Sequence, residues 1–182
     1  TLLVAVVLSA QAPDKGVNKA TPALFAAADN PADMYALGED KIRDYVKSIG
    51  LYKTKAANIY KTCKILVDEF GGEVPQTREE LEKLPGVGRK TANVVLNVVF
   101  NQPTMAVDTH IFRISNRIGL TKAKNPLETE QQLLKKIPKQ FMQHAHHWLI
   151  LHGRYICVAR KPKCGVCPIV DLCEFKDKNL PE

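Results

Sequence analysis

Apolar positions along this chain recur at helical spacing, and the strict alternation of a half-buried strand is nearly absent. Between Thr54 and Phe70, the residues Ile59, Cys63, Leu66, Val67 and Phe70 share one face of a helix. Cys63 on that face reads as a core residue rather than a reactive thiol. Start signals recur as well. Asn30 precedes Pro31 and Asp33, Thr77 precedes Glu80, and Asn125 precedes Pro126 and Glu128. In each case a short polar side chain can accept from an orphan N–H of the first turn. Gly50, Gly71 and Gly119 each follow an apolar-periodic stretch and suit a left-handed helix end. The pattern predicts an all-α chain of nine or ten short helices joined by tight turns, with a junction near Asn101 to Met105 where Asn-Gln-Pro breaks the periodicity.

The first twelve residues, TLLVAVVLSAQA, resemble a signal-peptide core with an Ala-x-Ala site ending at Ala12. No Met and no basic segment precede that core. The apolar run from Leu2 to Leu8 falls far short of a membrane span. The segment reads instead as a buried helix entered part-way along.

Composition narrows the class without naming a function. Across 182 residues the chain is 45% hydrophobic and 25% charged, an ordinary globular balance that excludes a disordered or collagen-like chain. The formal charge of +7 favours a polyanionic partner without requiring one. Five cysteines, four of them crowded near the C-terminal end, argue against a secreted disulfide framework and for a metal or cluster site in a reducing compartment.

Those four, Cys157, Cys164, Cys167 and Cys173, follow C-x6-C-x2-C-x5-C. Short loops between them close cheaply onto one centre, and Pro162, Gly165 and Pro168 supply turns. Chemistry alone leaves tetrahedral zinc and a four-iron cluster equally open. The loop between the first two ligands holds Arg160, Lys161 and Lys163 and no acid. Pinned by a metal centre, it would fix three cations where backbone phosphates could meet them.

A second feature is LEKLPGVGRKTANVVLNVVF, residues 81–100. Leu81 and Leu84 end a short helix, Pro85, Gly86, Val87 and Gly88 make a tight turn, and an apolar helix runs on from about Arg89. Glycines at a helix entrance let backbone N–H groups approach an anion closely, and the helix dipole adds positive potential. Lys90 lies in the first turn of that helix, beside Arg89. The position favours a neutral amine able to form a Schiff base; the plainer role is a solvated contact to phosphate. Further on, MAVDTHIFRISNRIGL places Asp108 directly before an amphipathic helix. Asp108 is a natural N-cap, and its apolar neighbours Ala106, Val107 and Ile111 would also suit a half-buried carboxylate that handles protons or balances charge.

With these motifs in order, the chain resembles the endonuclease III family of the helix-hairpin-helix glycosylase superfamily. LPGVGRKTAN, VDTHIFR, HHWLILHGRYIC and the cysteine spacing carry the resemblance, which runs from LLSAQ-like residues at the start to CEFK near the end. It implies two helical lobes. Residues 1–103 would form a six-helix barrel lobe with the helix-hairpin-helix at about 78–100. Residues 104–182 would form a lobe carrying a [4Fe-4S] cluster in the loop 157–173, with the family's N-terminal helix missing here. It implies a base-excision repair glycosylase that removes oxidised pyrimidines and cleaves the strand as an AP lyase. Lys90 matches the Schiff-base nucleophile, Asp108 the catalytic carboxylate, Gln11 the residue that fills the gap left by the extruded nucleotide, and Leu51 the wedge in the opposite strand. The implied partner is double-stranded DNA with damaged pyrimidines or abasic sites. The implied setting is a monomer in the bacterial cytoplasm, at the nucleoid, with no membrane attachment.

Two other readings stay open at this point. A monofunctional relative of the adenine glycosylase type would share the cysteines, hairpin and aspartate but typically lacks lysine at position 90. A non-catalytic DNA-binding module held by zinc would use Lys90 only to hold phosphate.

Overall fold

The computed structural model describes residues 1–180, and among them all regular structure is helical. The chain divides into two units, the first spanning Thr1–Phe100 and the second beginning at Asn101.

The first unit is built around one long helix. Its elements are α1 (Leu2–Ser9), α2 (Asp14–Ala27), α3 (Pro31–Leu37), α4 (Glu39–Val46), α5 (Tyr52–Phe70), α6 (Arg78–Leu81) and α7 (Arg89–Phe100). Helices α1, α3 and α4 pack on α5, and α1 also packs on α7. Leu8, Leu24, Ile42, Ile59, Leu81, Leu84 and Val95 are fully buried in this core. Each such side chain contributes about 1.5–3 kcal/mol by leaving water. The apolar N-terminal run is indeed a buried helix, with Leu3, Val7 and Leu8 in the core. Cys63 is buried on α5, and burial pushes its thiol up to about 11.

The local start signals hold. Asn30 Oδ1 accepts from the Asp33 amide at 2.9 Å, and Thr77 Oγ1 accepts from that of Glu80 at 3.3 Å. Gly71 takes the left-handed conformation expected of it, at φ +61°. Gly50 does not. The positive φ passes one residue on, to Leu51, at φ +60° and ψ +26°. The left-handed residue here is the one that caps the start of α5, not the one that ends α4, so a side chain bears a strain of about 1–2 kcal/mol that glycine would avoid.

The second unit holds α8 (Thr109–Arg117), α9 (Pro126–Lys136), α10 (Lys139–Tyr155) and two short 3-10 turns at Cys164–Val166 and Val170–Leu172. Its core is Met105, Ile111, Leu133, Met142 and Ala145. Helix α8 packs closely on α10 at Gly153, where an added Cβ would stand 3.1 Å from the Cβ of His110. Asn125 caps α9 by accepting from the Glu128 amide at 2.9 Å, and Gly119 ends α8 at φ +85°. No helix among the described residues is long and apolar enough to cross a membrane.

Candidate functional site

In the first unit the glycine turn sits between α6 and α7, and α5 holds it from beneath. The buried Thr62 hydroxyl donates to the Pro85 carbonyl at 3.1 Å. Gly86 has φ +81°, and a Cβ there would lie 2.9 Å from Asn58 Nδ2 and 3.3 Å from Val7 Cγ1. Glycine at this position is therefore demanded by the fold itself. Gly88 is different. Its φ is unexceptional and an added Cβ would meet nothing within 4 Å, so neither conformation nor packing calls for glycine. What Gly88 provides is room for another molecule to approach the backbone at the start of α7.

Val87 departs from the sequence reading. Its side chain is buried and its amide donates to the Leu84 carbonyl at 3.0 Å, closing the turn. That amide is spent inside the hairpin and cannot also meet a phosphate. The donors left for an anion are those of Gly88 and Lys90, because the first amides of a helix have no partner within it. Lys90 is exposed in this first turn, and Arg89 is half-buried beside it.

Gln11 and Leu51 are both exposed, and both hold positive φ, at +52° and +60°. Among the described non-glycine residues only Asn101 and Lys161 share that conformation. Three of the four are thus residues that sequence reasoning assigned to ligand contact. Backbone strain gathered at exposed positions is a mark of functional corners rather than of stable packing.

In the second unit Asp108 caps α8: its Oδ1 accepts from the Ile111 amide at 2.8 Å. It is half-buried after the buried run Met105, Ala106 and Val107. The capping bond occupies one oxygen, so the cap and a chemical role for the other oxygen are compatible.

The four cysteines Cys157, Cys164, Cys167 and Cys173 line one small cavity, walled by Ile118, Ile156 and Phe175. Among the described residues no three His, Cys, Asp or Glu side chains converge on a single-ion position. Tetrahedral zinc needs four sulfurs at about 2.3 Å from one ion. A four-iron cube takes one thiolate per iron and spreads them around itself. Four cysteine thiols lining one pocket are a donor set that fits the cube.

Two arginines that the sequence pattern did not reveal hold this loop from α8. Arg113 donates to the Cys157 carbonyl at 3.1 Å and to the Gly153 carbonyl at 2.7 Å. Arg117 donates to the carbonyls of Val158 and Ala159 at 2.8 and 2.9 Å and approaches the Cys157 sulfur. His152 Nε2 lies 3.4 Å from the Cys167 sulfur. These partners stand 15 to 44 residues apart in sequence, which is why spacing alone gave no sign of them. The faint signal was the cation pair Arg113 and Arg117 at i and i+4, one helical turn apart on one face. Arg160, Lys161 and Lys163 are all exposed on the loop so anchored.

Comparison with known proteins agrees with this chemistry. Residues 4–139 match the family described as HhH-GPD superfamily base excision DNA repair protein, and residues 157–173 match the iron-sulfur binding domain of endonuclease III. The chain is 59% identical to endonuclease III of Escherichia coli and 58% identical to that of Haemophilus influenzae, in each case over 97% of this chain and 84% of the relative. A solved structure of a trapped endonuclease III–DNA covalent intermediate superposes with a TM-score of 0.87 at 49% identity, covering 95% of this chain and 82% of that one.

Proposed function

The chain belongs to the HhH-GPD superfamily of base excision DNA repair proteins, and on that premise we propose that Lys90 is the amine that attacks the sugar of an extruded, damaged nucleotide. The protein is a DNA N-glycosylase for oxidised pyrimidines with an associated AP lyase activity. The observation that carries the assignment of Lys90 is its place: an exposed lysine in the first turn of α7, two residues after a glycine that leaves the backbone open.

The steps follow from the chain's own groups. Extruding the target costs a few kcal/mol of stacking and pairing, which a lesion reduces. The Gly88 and Lys90 amides, with the positive end of α7, hold a strand phosphate without reading sequence. Gln11 fills the gap in the stack, and Leu51 enters the opposite strand. The Lys90 amine attacks C1′ and the base departs with its bonding pair. The C1′–O4′ bond then opens, O4′ takes a proton and the nitrogen gives one up, leaving an imine that acidifies the C2′ proton; loss of that proton expels the 3′ phosphate by β-elimination and cuts the strand. Asp108 receives or directs a proton, or balances the cationic sugar.

The cofactor is a [4Fe-4S] cluster, and Cys157, Cys164, Cys167 and Cys173 are the residues that would hold it. When bound, it ties four thiolates together and so fixes the loop. Arg160, Lys161 and Lys163 then stand ready for backbone phosphates. By the same reading the enzyme works as a monomer on nucleoid DNA in the bacterial cytoplasm.

The test is incubation of the protein with duplexes carrying thymine glycol or an abasic site, followed by strand analysis. Cleavage 3′ to the lesion by β-elimination is expected on both. Base release without strand cleavage would instead indicate a monofunctional glycosylase.

A further inference from the structure

Lys55 is the only lysine buried among the described residues, at 5% exposed. Burial pulls its pKa below the ordinary lysine range. An ammonium so placed stabilises a fold poorly unless it is well paired. Its Nζ donates to the Leu8 carbonyl at 2.8 Å. That carbonyl lies in the last turn of α1, where helix geometry leaves acceptors without helical partners. The neighbouring carbonyls of Val7 and Ser9 accept from the amides of Ala10 and Ala12. Helix α1 has no basic residue in its own last turn, so α5 supplies the cation that its C-terminal end favours.

Three residues after Leu8 the chain turns at Gln11, with φ +52°. On its other side, the Lys55 amide closes the first turn of α5 onto the Leu51 carbonyl at 3.0 Å. One residue thus grips both strained corners of this unit, Leu51 through its backbone and the approach to Gln11 through its side chain. Leu51, Lys55, Asn58 and Thr62 also fall on one stripe, at helical spacings of four, three and four. Asn58 and Thr62 meet the glycine turn, so a single face of α5 serves all three corners.

We propose that Lys55 is a positioning residue that holds the Gln11 and Leu51 corners in register for insertion into the duplex. This rests on the reading of Gln11 and Leu51 as the residues that enter DNA. Lys55 touches no substrate; it acts through the end of α1.

A double-mutant cycle on the full chain, with a thymine glycol duplex as substrate, separates this from a merely structural role. Gln11→Ala and Lys55→Met are each expected to lower kcat/KM by about tenfold, and the double variant to fall no more than about twofold below the weaker single one. A 2-aminopurine placed opposite the lesion reports displacement of the stacked base, and its fluorescence rise is expected to shrink in both single variants. Should Lys55→Met not fold, Lys55→Gln enters the same cycle with the same expectation. Multiplying losses, about a hundredfold in the double variant, would overturn the proposal. So would a Lys55 variant that acts at the wild-type rate while Gln11→Ala is impaired. A fully active Gln11→Ala would instead overturn the reading of Gln11 itself, and the positioning role with it.

Discussion

One nitrogen of the Arg117 guanidinium stands 3.6 Å from the Cys157 sulfur, while the same side chain donates to the carbonyls of Val158 and Ala159 at 2.8 and 2.9 Å. A planar fork thus grips the Cys157 sulfur and the first residues of the basic loop together. Its plane also lies over the Phe175 ring, at 4.5 Å from the centroid.

Arg117→Ala would leave two loop carbonyls without their charged donor, at a cost of about 1.5–3 kcal/mol each where they stay shielded from water. The expected outcome is loss of iron per chain and of the visible absorbance of the cluster, together with weaker duplex binding. Arg117→Lys would restore little, since an ammonium cannot reproduce the fork. Full iron content in Arg117→Ala would show that the cysteines hold the cluster without this clamp.

The two hairpin glycines should separate in opposite directions. Gly86→Ala meets a positive φ and Asn58 at 2.9 Å, and should destabilise the fold by about 1–3 kcal/mol in a denaturation series. Gly88→Ala meets open space, so its melting temperature should match the parent while affinity for duplex DNA falls by about tenfold, roughly one good contact. Unchanged affinity in Gly88→Ala would remove that amide from the DNA interface.

Leu51 carries backbone strain on a side chain that is 61% exposed. Leu51→Gly relieves the strain and removes the side chain proposed as the wedge. Thermal stability should hold or rise by about 1 kcal/mol, and turnover on a lesion duplex should drop. A variant that keeps full turnover would make Leu51 a surface residue with no part in strand opening.

Cys63 gives a pH prediction with a definite sign. Its thiol is raised from 9.0 to about 11 by desolvation. The stability that its neutral form contributes is therefore complete below pH 9.0 and lost as the pH climbs toward about 11. The loss over that window is about 2–3 kcal/mol. Urea melts of the parent and of Cys63→Ala should converge as the pH rises through it. A constant gap between the two would mean the thiol titrates normally.

Local chemistry in this chain was legible before any coordinates. Asn30, Thr77, Asn125 and Asp108 cap helices as their sequence neighbours imply, because a cap is settled within three or four residues. The hairpin, the lysine after it and the cysteine spacing were equally plain. What stayed hidden depends on partners far along the chain. Lys55 meets Leu8 across 47 residues, and Arg113 and Arg117 reach the cysteine loop across about 40. The handover of positive φ from Gly50 to Leu51 was also invisible, since local propensity assigns it to glycine and only the start of α5 assigns it to leucine. Val87 read as part of an anion site by position, and its amide turned out to close the turn.

The most direct measurement is borohydride reduction during reaction with an abasic duplex, followed by mapping of the DNA adduct on the protein. The expected result is one covalent adduct at Lys90, absent from Lys90→Ala although that variant still binds the duplex. No adduct from the intact protein, or an adduct that persists at another residue in Lys90→Ala, would contradict the assignment of this lysine as the nucleophile.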